Sequence, residues 1–109
     1  MKLYFYFLEK EYNKSPKMNV EECKVQEKAK SYKLLGKISN YYGTRILKSE
    51  IGVLKVEFSW KMVLIIDKPD LEKAKQIFSD YLNNEIKELK EKLKAVENFG
   101  KELKTSENS

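Results

Sequence analysis

The stretch LKVEFSWKMVLIID, Leu54 to Asp67, alternates apolar and polar residues through its first half and then stops alternating. Leu54, Val56, Phe58, Trp60, Met62, Leu64 and Ile66 fall on one face of an extended strand, and the other face reads Lys55, Glu57, Ser59, Lys61 and then Val63 and Ile65. A strand whose last third is apolar on both faces needs cover on both. The unbroken alternation favours one continuous strand. Its length exceeds the usual roughly 5 to 6 residues, so a hairpin bending at Ser59 to Lys61 is the alternative. Either way, the face of Val56, Phe58, Trp60, Met62 and Leu64 is the one expected to meet a helix, with Trp60 in the core.

Upstream, KLYFYFLE (Lys2 to Glu9) reads as a first strand, apolar on both faces, followed by a loop centred on Ser15 and Pro16. The segment from Val20 to Lys37 is weakly periodic. It reads as one long bent strand or two short ones, with a short helix as the rival. ISNYYGT carries the turn residues Asn40 and Gly43, and RILKSEIG reads as a short strand ending near Gly52.

After Asp67 the period changes from two to about 3.6. DKPD offers Asp67 as an N-cap, a proline in the first turn and an acidic residue three places on. Leu71, Ala74, Ile77, Phe78, Tyr81 and Leu82 then form a wide apolar stripe suited to covering a sheet. From there the stripe narrows to Leu82, Ile86, Leu89, Leu93 and Val96, spaced 4, 3, 4, 3, which is the spacing of a coiled-coil seam. Gly100 reads as the C-terminal stop and residues 100–109 as a disordered tail. The expected fold is α+β: an antiparallel sheet of about four strands over residues 1–66, packed against one long C-terminal helix over 68–99, in a single domain spanning 1–99.

Composition narrows the chemistry. The chain has 109 residues, 36% of them charged, and a mean hydropathy of −0.64, which describes a small soluble domain. Its longest apolar run, Met62 to Ile66, is far too short to span a bilayer, and no cleavage-site pattern follows the aromatic N-terminus. Cys23 is the only cysteine, so no internal disulfide can form and a reducing, cytoplasmic setting is expected. There is no histidine, which removes the usual general base and the commonest transition-metal ligand. Glu21 and Glu22 are the closest carboxylate pair, but adjacent strand residues point to opposite faces. No P-loop or dinucleotide fingerprint is present. The expectation is a non-catalytic protein without metal or cofactor.

Three surfaces qualify as binding sites. One is the sheet face opposite the helix, expected to carry Tyr4, Tyr6, Val63 and Ile65 with Lys55 and Lys61 toward its rim, facing another protein. The competing reading covers that face with ISNYY or the 10–19 loop and makes it core. The second surface follows charge. Residues 1–66 hold 13 basic and 7 acidic side chains, a net of +6, whereas residues 67–109 hold 9 and 10. Lys33, Lys37, Arg45 and Lys48 interleave with Tyr41 and Tyr42, a combination that suits phosphate contact with base stacking by a nucleic acid or nucleotide. Leu82, Ile86, Leu89, Leu93 and Val96 form a third, self-association face, giving a homodimer through the C-terminal helix.

EKAKSYKLLGK, RILKSEIGVL and DLEKAKQIFSDYLNNEIKELKEKL together resemble the short uncharacterised proteins carried by phages and prophages of low-GC Gram-positive bacteria, in which a small sheet precedes a Lys/Glu-rich helix. The resemblance spans about residues 22–95, is one of order and style, and carries no functional residues over. It implies an accessory protein that binds a host macromolecule, with inhibitors of bacterial anti-phage defence systems the subclass of most interest. The net charge of +5 argues against mimicry of DNA by an acidic surface.

Overall fold

The computed structural model describes residues 1–11, 14–39, 41 and 43–107, with side chains through residue 103. It is α+β, as expected, but the antiparallel sheet has six strands rather than about four. They are β1 (Lys2–Glu9), β2 (Lys17–Glu27), β3 (Ser31–Leu34), β4 (Arg45–Leu47), β5 (Lys55–Phe58) and β6 (Lys61–Ile66), followed by α1 (Leu71–Glu107). The order across the sheet is β4-β3-β2-β1-β6-β5, and the sheet curls into a half-barrel. The chain divides into two compact units, Met1–Ala74 and Lys75–Ser109.

The stretch from Leu54 to Asp67 is a hairpin. β5 and β6 pair antiparallel across Ser59 and Trp60, with an irregularity between Val56 and Phe58. Val56 pairs with Met62 and Lys55 with Val63. In these two pairs residues of like parity share a face, as in a single strand, but past the irregularity Phe58 lies opposite Lys61 and the parity is broken next to the turn. Trp60 consequently sits in the turn rather than in the core. It is 48% exposed, and Phe58 and Val56 are similarly exposed, which overturns the expected burial for these three residues, while Met62 and Leu64 of the same expected face are buried.

The register of β1 against β6 sorts the apolar residues into two sets. Phe5 lies opposite Ile65 and Phe7 opposite Val63, whereas Tyr4, Tyr6 and Leu8 lie opposite Ile66, Leu64 and Met62. The first set builds one core cluster with Leu3, Cys23, Val25, Tyr32, Ile38 and Ile46. Its cover comes from the sheet's own curl and from the excursion between β3 and β4. There Ile38 is buried, and the Tyr41 ring stands edge-on to Phe5 at 5.3 Å between centroids. Gly43 is required at this point, because a Cβ there would fall 2.5 Å from Cε1 of Tyr41. So it is partly the ISNYY segment that closes the inner face; its Asn40 and Tyr42 lie outside the described residues. Gly52, at φ +78°, makes the other conformationally demanding turn, ahead of β5.

The second set is also buried: Tyr6, Leu8, Met62, Leu64 and Ile66 retain at most 5% of their surface. Tyr6 links this face to the start of α1, its hydroxyl accepting a hydrogen bond from the backbone N–H of Asp70 at 3.0 Å. Asp70, not Asp67, caps the helix. Its Oδ1 accepts from the N–H of Lys73 at 3.0 Å while its carbonyl accepts from the N–H of Ala74 at 3.2 Å. At the far end the helix continues through Gly100 to Glu107, where the sequence suggested a stop and a disordered tail. A glycine inside a helix costs only about 1 kcal/mol relative to alanine, which the surrounding turns can offset.

Candidate binding surfaces

The face expected to bind a partner does not exist as one surface. Val63 and Ile65 belong to the inner core at 0% and 1% exposure, and Tyr4 and Tyr6 point to the opposite side of β1. Tyr6 is buried and tied to Asp70; Tyr4 and Lys55 are half-buried. Lys61 is buried too, although it is charged. Its ammonium pairs with Glu57 at 3.2 Å and stands 5.4 Å from the centroid of Phe7, closing one end of the core with a cation over an aromatic ring. Lys55 pairs with Glu50 at 2.7 Å. The expectation failed because it placed odd-numbered residues of β6 beside even-numbered residues of β1, whereas the antiparallel register joins odd with odd.

The apolar surface the sheet does present lies one strand further out. β5 forms an edge of the sheet, and Val56, Phe58 and Trp60 project from it and from its turn. The rings of Phe58 and Trp60 stack with centroids 5.3 Å apart and planes 6° from parallel. The backbone beneath is fixed, since the N–H of Lys10 donates to the carbonyl of Trp60 at 2.7 Å. Two stacked aromatic rings held half in water on an anchored turn form a preorganised apolar platform. Binding there would order little that is not already ordered.

At the opposite edge lies a basic surface. Lys33 on β3 and Arg45 on β4 are directly opposed across the ladder, both exposed. Together with Lys28, Ser31, Leu34 and Thr44 they line a shallow groove. A second groove shares Leu34 and Thr44 with it and reaches Lys37 and Tyr41. Four of the six residues predicted to contact a nucleic acid are thus brought together. Lys48 is not among them: it pairs with Glu27 at 3.0 Å and lies over the Tyr32 ring at 5.5 Å. Tyr41 has a mixed role, because half of it is packed into the core. Tyr42 lies outside the described residues. Among the described residues no acidic side chain pairs with Lys28, Lys33 or Arg45, so the opposed cations repel each other uncompensated.

Glu21 and Glu22 diverge as expected for neighbours in a strand. Glu21 Oε1 accepts from both the Oγ (2.8 Å) and the N–H (3.3 Å) of Ser39, holding the excursion onto β2, while Glu22 pairs with Lys2 at 3.1 Å. The titration of Glu11 is displaced by its neighbours. Lys14 chiefly, with Lys17, holds its carboxyl below the ordinary carboxylate range. Among the described residues no helix is long and apolar enough to cross a membrane. No protein-family model, no curated protein and no solved structure matches the chain.

Proposed function

We propose that this is a non-catalytic binding protein that holds another protein through the β5–β6 hairpin. The observation that carries the reading is the exposed, coplanar Phe58–Trp60 pair on an anchored turn at the edge of the sheet. Rigid aromatic rings of this kind are the side chains most often found at the energetic centre of protein interfaces. The lack of histidine and of a recognisable catalytic pattern supports a role without chemistry. On the resemblance drawn above, the protein is an accessory factor of a phage or mobile element acting in the cytoplasm on a host protein, with a component of anti-phage defence as the target class of most interest.

The test is a paired capture from bacterial lysate. Wild type should retain a specific protein that survives nuclease treatment, and Phe58→Ser with Trp60→Ser should lose it while the circular dichroism of the sheet is kept. Retention of the same protein by the double variant would overturn the reading.

A second reading has its own observation, the cations Lys28, Lys33 and Arg45 in one groove, without an acidic partner among the described residues. A polyanion such as single-stranded nucleic acid would neutralise the opposed pair, and its affinity would fall steeply with salt. Lys33→Glu with Arg45→Glu should then abolish an oligonucleotide shift seen at low salt. A shift unaffected by the substitutions would dismiss this reading.

A further inference from the structure

The continuation of α1 through Gly100 changes what its apolar seam can do. Counted to the end of the described side chains, the seam runs Leu82, Ile86, Leu89, Leu93, Val96, Gly100, Leu103, spaced 4, 3, 4, 3, 4, 3. That is three heptads, where a helix ending before Gly100 would hold two. Ile86, Leu89, Leu93, Val96 and Leu103 are between 49% and 67% exposed, and Phe99 beside Gly100 is equally open. A row of aliphatic side chains left in water along about 30 Å of helix is a face that a second helix would bury.

We infer that the occupant is the same seam of a second copy, aligned parallel and in register. The charges flanking the seam select this arrangement. With Ile86, Leu93 and Gly100 at the a positions and Leu82, Leu89, Val96 and Leu103 at the d positions, Glu85 and Lys92 occupy g, and Lys90 and Glu97 occupy e. In a parallel pair each g residue meets the e residue five places on in the other helix. Glu85 then meets Lys90, and Lys92 meets Glu97, each twice by symmetry. All four contacts join opposite charges. An antiparallel pair centred on Glu91 would instead set Lys90 against Lys90 and Lys92 against Lys92. Shifting that pair by half a heptad removes the repulsion but places Leu82 opposite Glu107. Ile86 at a, with leucine at three of the four d positions, also suits a two-stranded assembly. Gly100 faces Gly100 in the parallel pair, which leaves room beside it for the two Phe99 rings.

The experiment uses the full chain and reads mass, dissociation and orientation. Sedimentation should give twice the chain mass of 12.9 kDa at high concentration, with dissociation on dilution. Leu89→Lys with Leu93→Lys should give only monomer while the thermal unfolding of the sheet unit is retained. Glu85→Lys should weaken the dimer at least several-fold and Glu85→Lys with Lys90→Glu should restore it, a response that a merely sticky apolar face would not give. Gly100→Cys in a Cys23→Ser background should cross-link to a covalent dimer under mild oxidation, because position 100 meets itself only in the parallel register. A wild-type monomer at every concentration, a double-lysine variant that stays dimeric, or a dimer that fails to cross-link through position 100 would each overturn the inference.

Discussion

The sheet unit and the helix beyond Ala74 treat the same kind of residue in opposite ways. In the sheet unit, Leu3, Phe5, Phe7, Val63, Ile65 and Ile46 are withdrawn from water almost completely. In the helix, Leu89, Leu93 and Val96 keep more than half of their surface. The reason is geometric. A sheet that curls can close its inner face upon itself, with a short excursion such as Ile38 to Tyr41 as a plug, whereas a straight helix has no way of folding its own stripe inward. Among the exposed apolar residues, Val56, Phe58 and Trp60 of the β5–β6 hairpin and the seam of the helix form two groups, and each is a place where a partner would find surface to bury.

The largest difference between the regions should appear on truncating buried against exposed aromatics. Phe5→Ala should cost about 3 to 5 kcal/mol, most of the stability of a domain this small, as read by urea denaturation. Trp60→Ala should cost no more than about 1 kcal/mol in the same assay, since only its stacking on Phe58 and half its surface are at stake. Equal losses would mean that the hairpin is core and the contrast false.

Next in size is the link between the sheet and the helix start. Tyr6→Phe removes the acceptor for the Asp70 N–H, and Asp70→Ala removes the cap on Lys73; each should lower stability by about 1 kcal/mol. Because the two act on the same turn, the double variant should lose less than the sum. Strict additivity would show that the two bonds are independent.

The smallest effect has the opposite sign. Lys33→Glu turns the repulsive pair with Arg45 into an attractive one and should raise stability by up to about 0.5 kcal/mol at low salt, fading as salt increases. A destabilisation would indicate that the Lys33 side chain has a favourable contact which its exposure conceals.

Much of this architecture was legible in the residues. The first strand, the helix and the change of period after Asp67 followed from patterning, because each is long and strongly periodic. The hairpin did not, and the cause is specific: with Val56 opposite Met62 and Lys55 opposite Val63, these parts of the two arms keep the parity of a straight strand, and the irregularity that sets Phe58 opposite Lys61 leaves no mark in the pattern of residues. The misplaced Trp60 follows from that ambiguity, whereas the patch that mixed Tyr4 and Tyr6 with Val63 and Ile65 fails on the β1–β6 register, which joins odd with odd. β2 escaped definition for a different reason. Its outward residues such as Val20 and Glu22 are exposed, so little burial constrains their type. The basic groove was partly legible, since Lys33 and Arg45 were singled out by charge, but only the β3–β4 register sets them side by side. The residues alone carry the seam to Val96, because Gly100 looks like a terminator in isolation and only the continuous helix shows that Leu103 carries the pattern on.

The most direct test of the account is the fluorescence of Trp60, the chain's single tryptophan. If the β5–β6 turn displays it, the folded protein should emit at a wavelength close to that of the unfolded chain and be quenched readily by acrylamide, and addition of a bound partner should shift the emission to the blue and protect it. A blue-shifted emission, resistant to quenching in the folded protein alone, would contradict the account by returning Trp60 to the core.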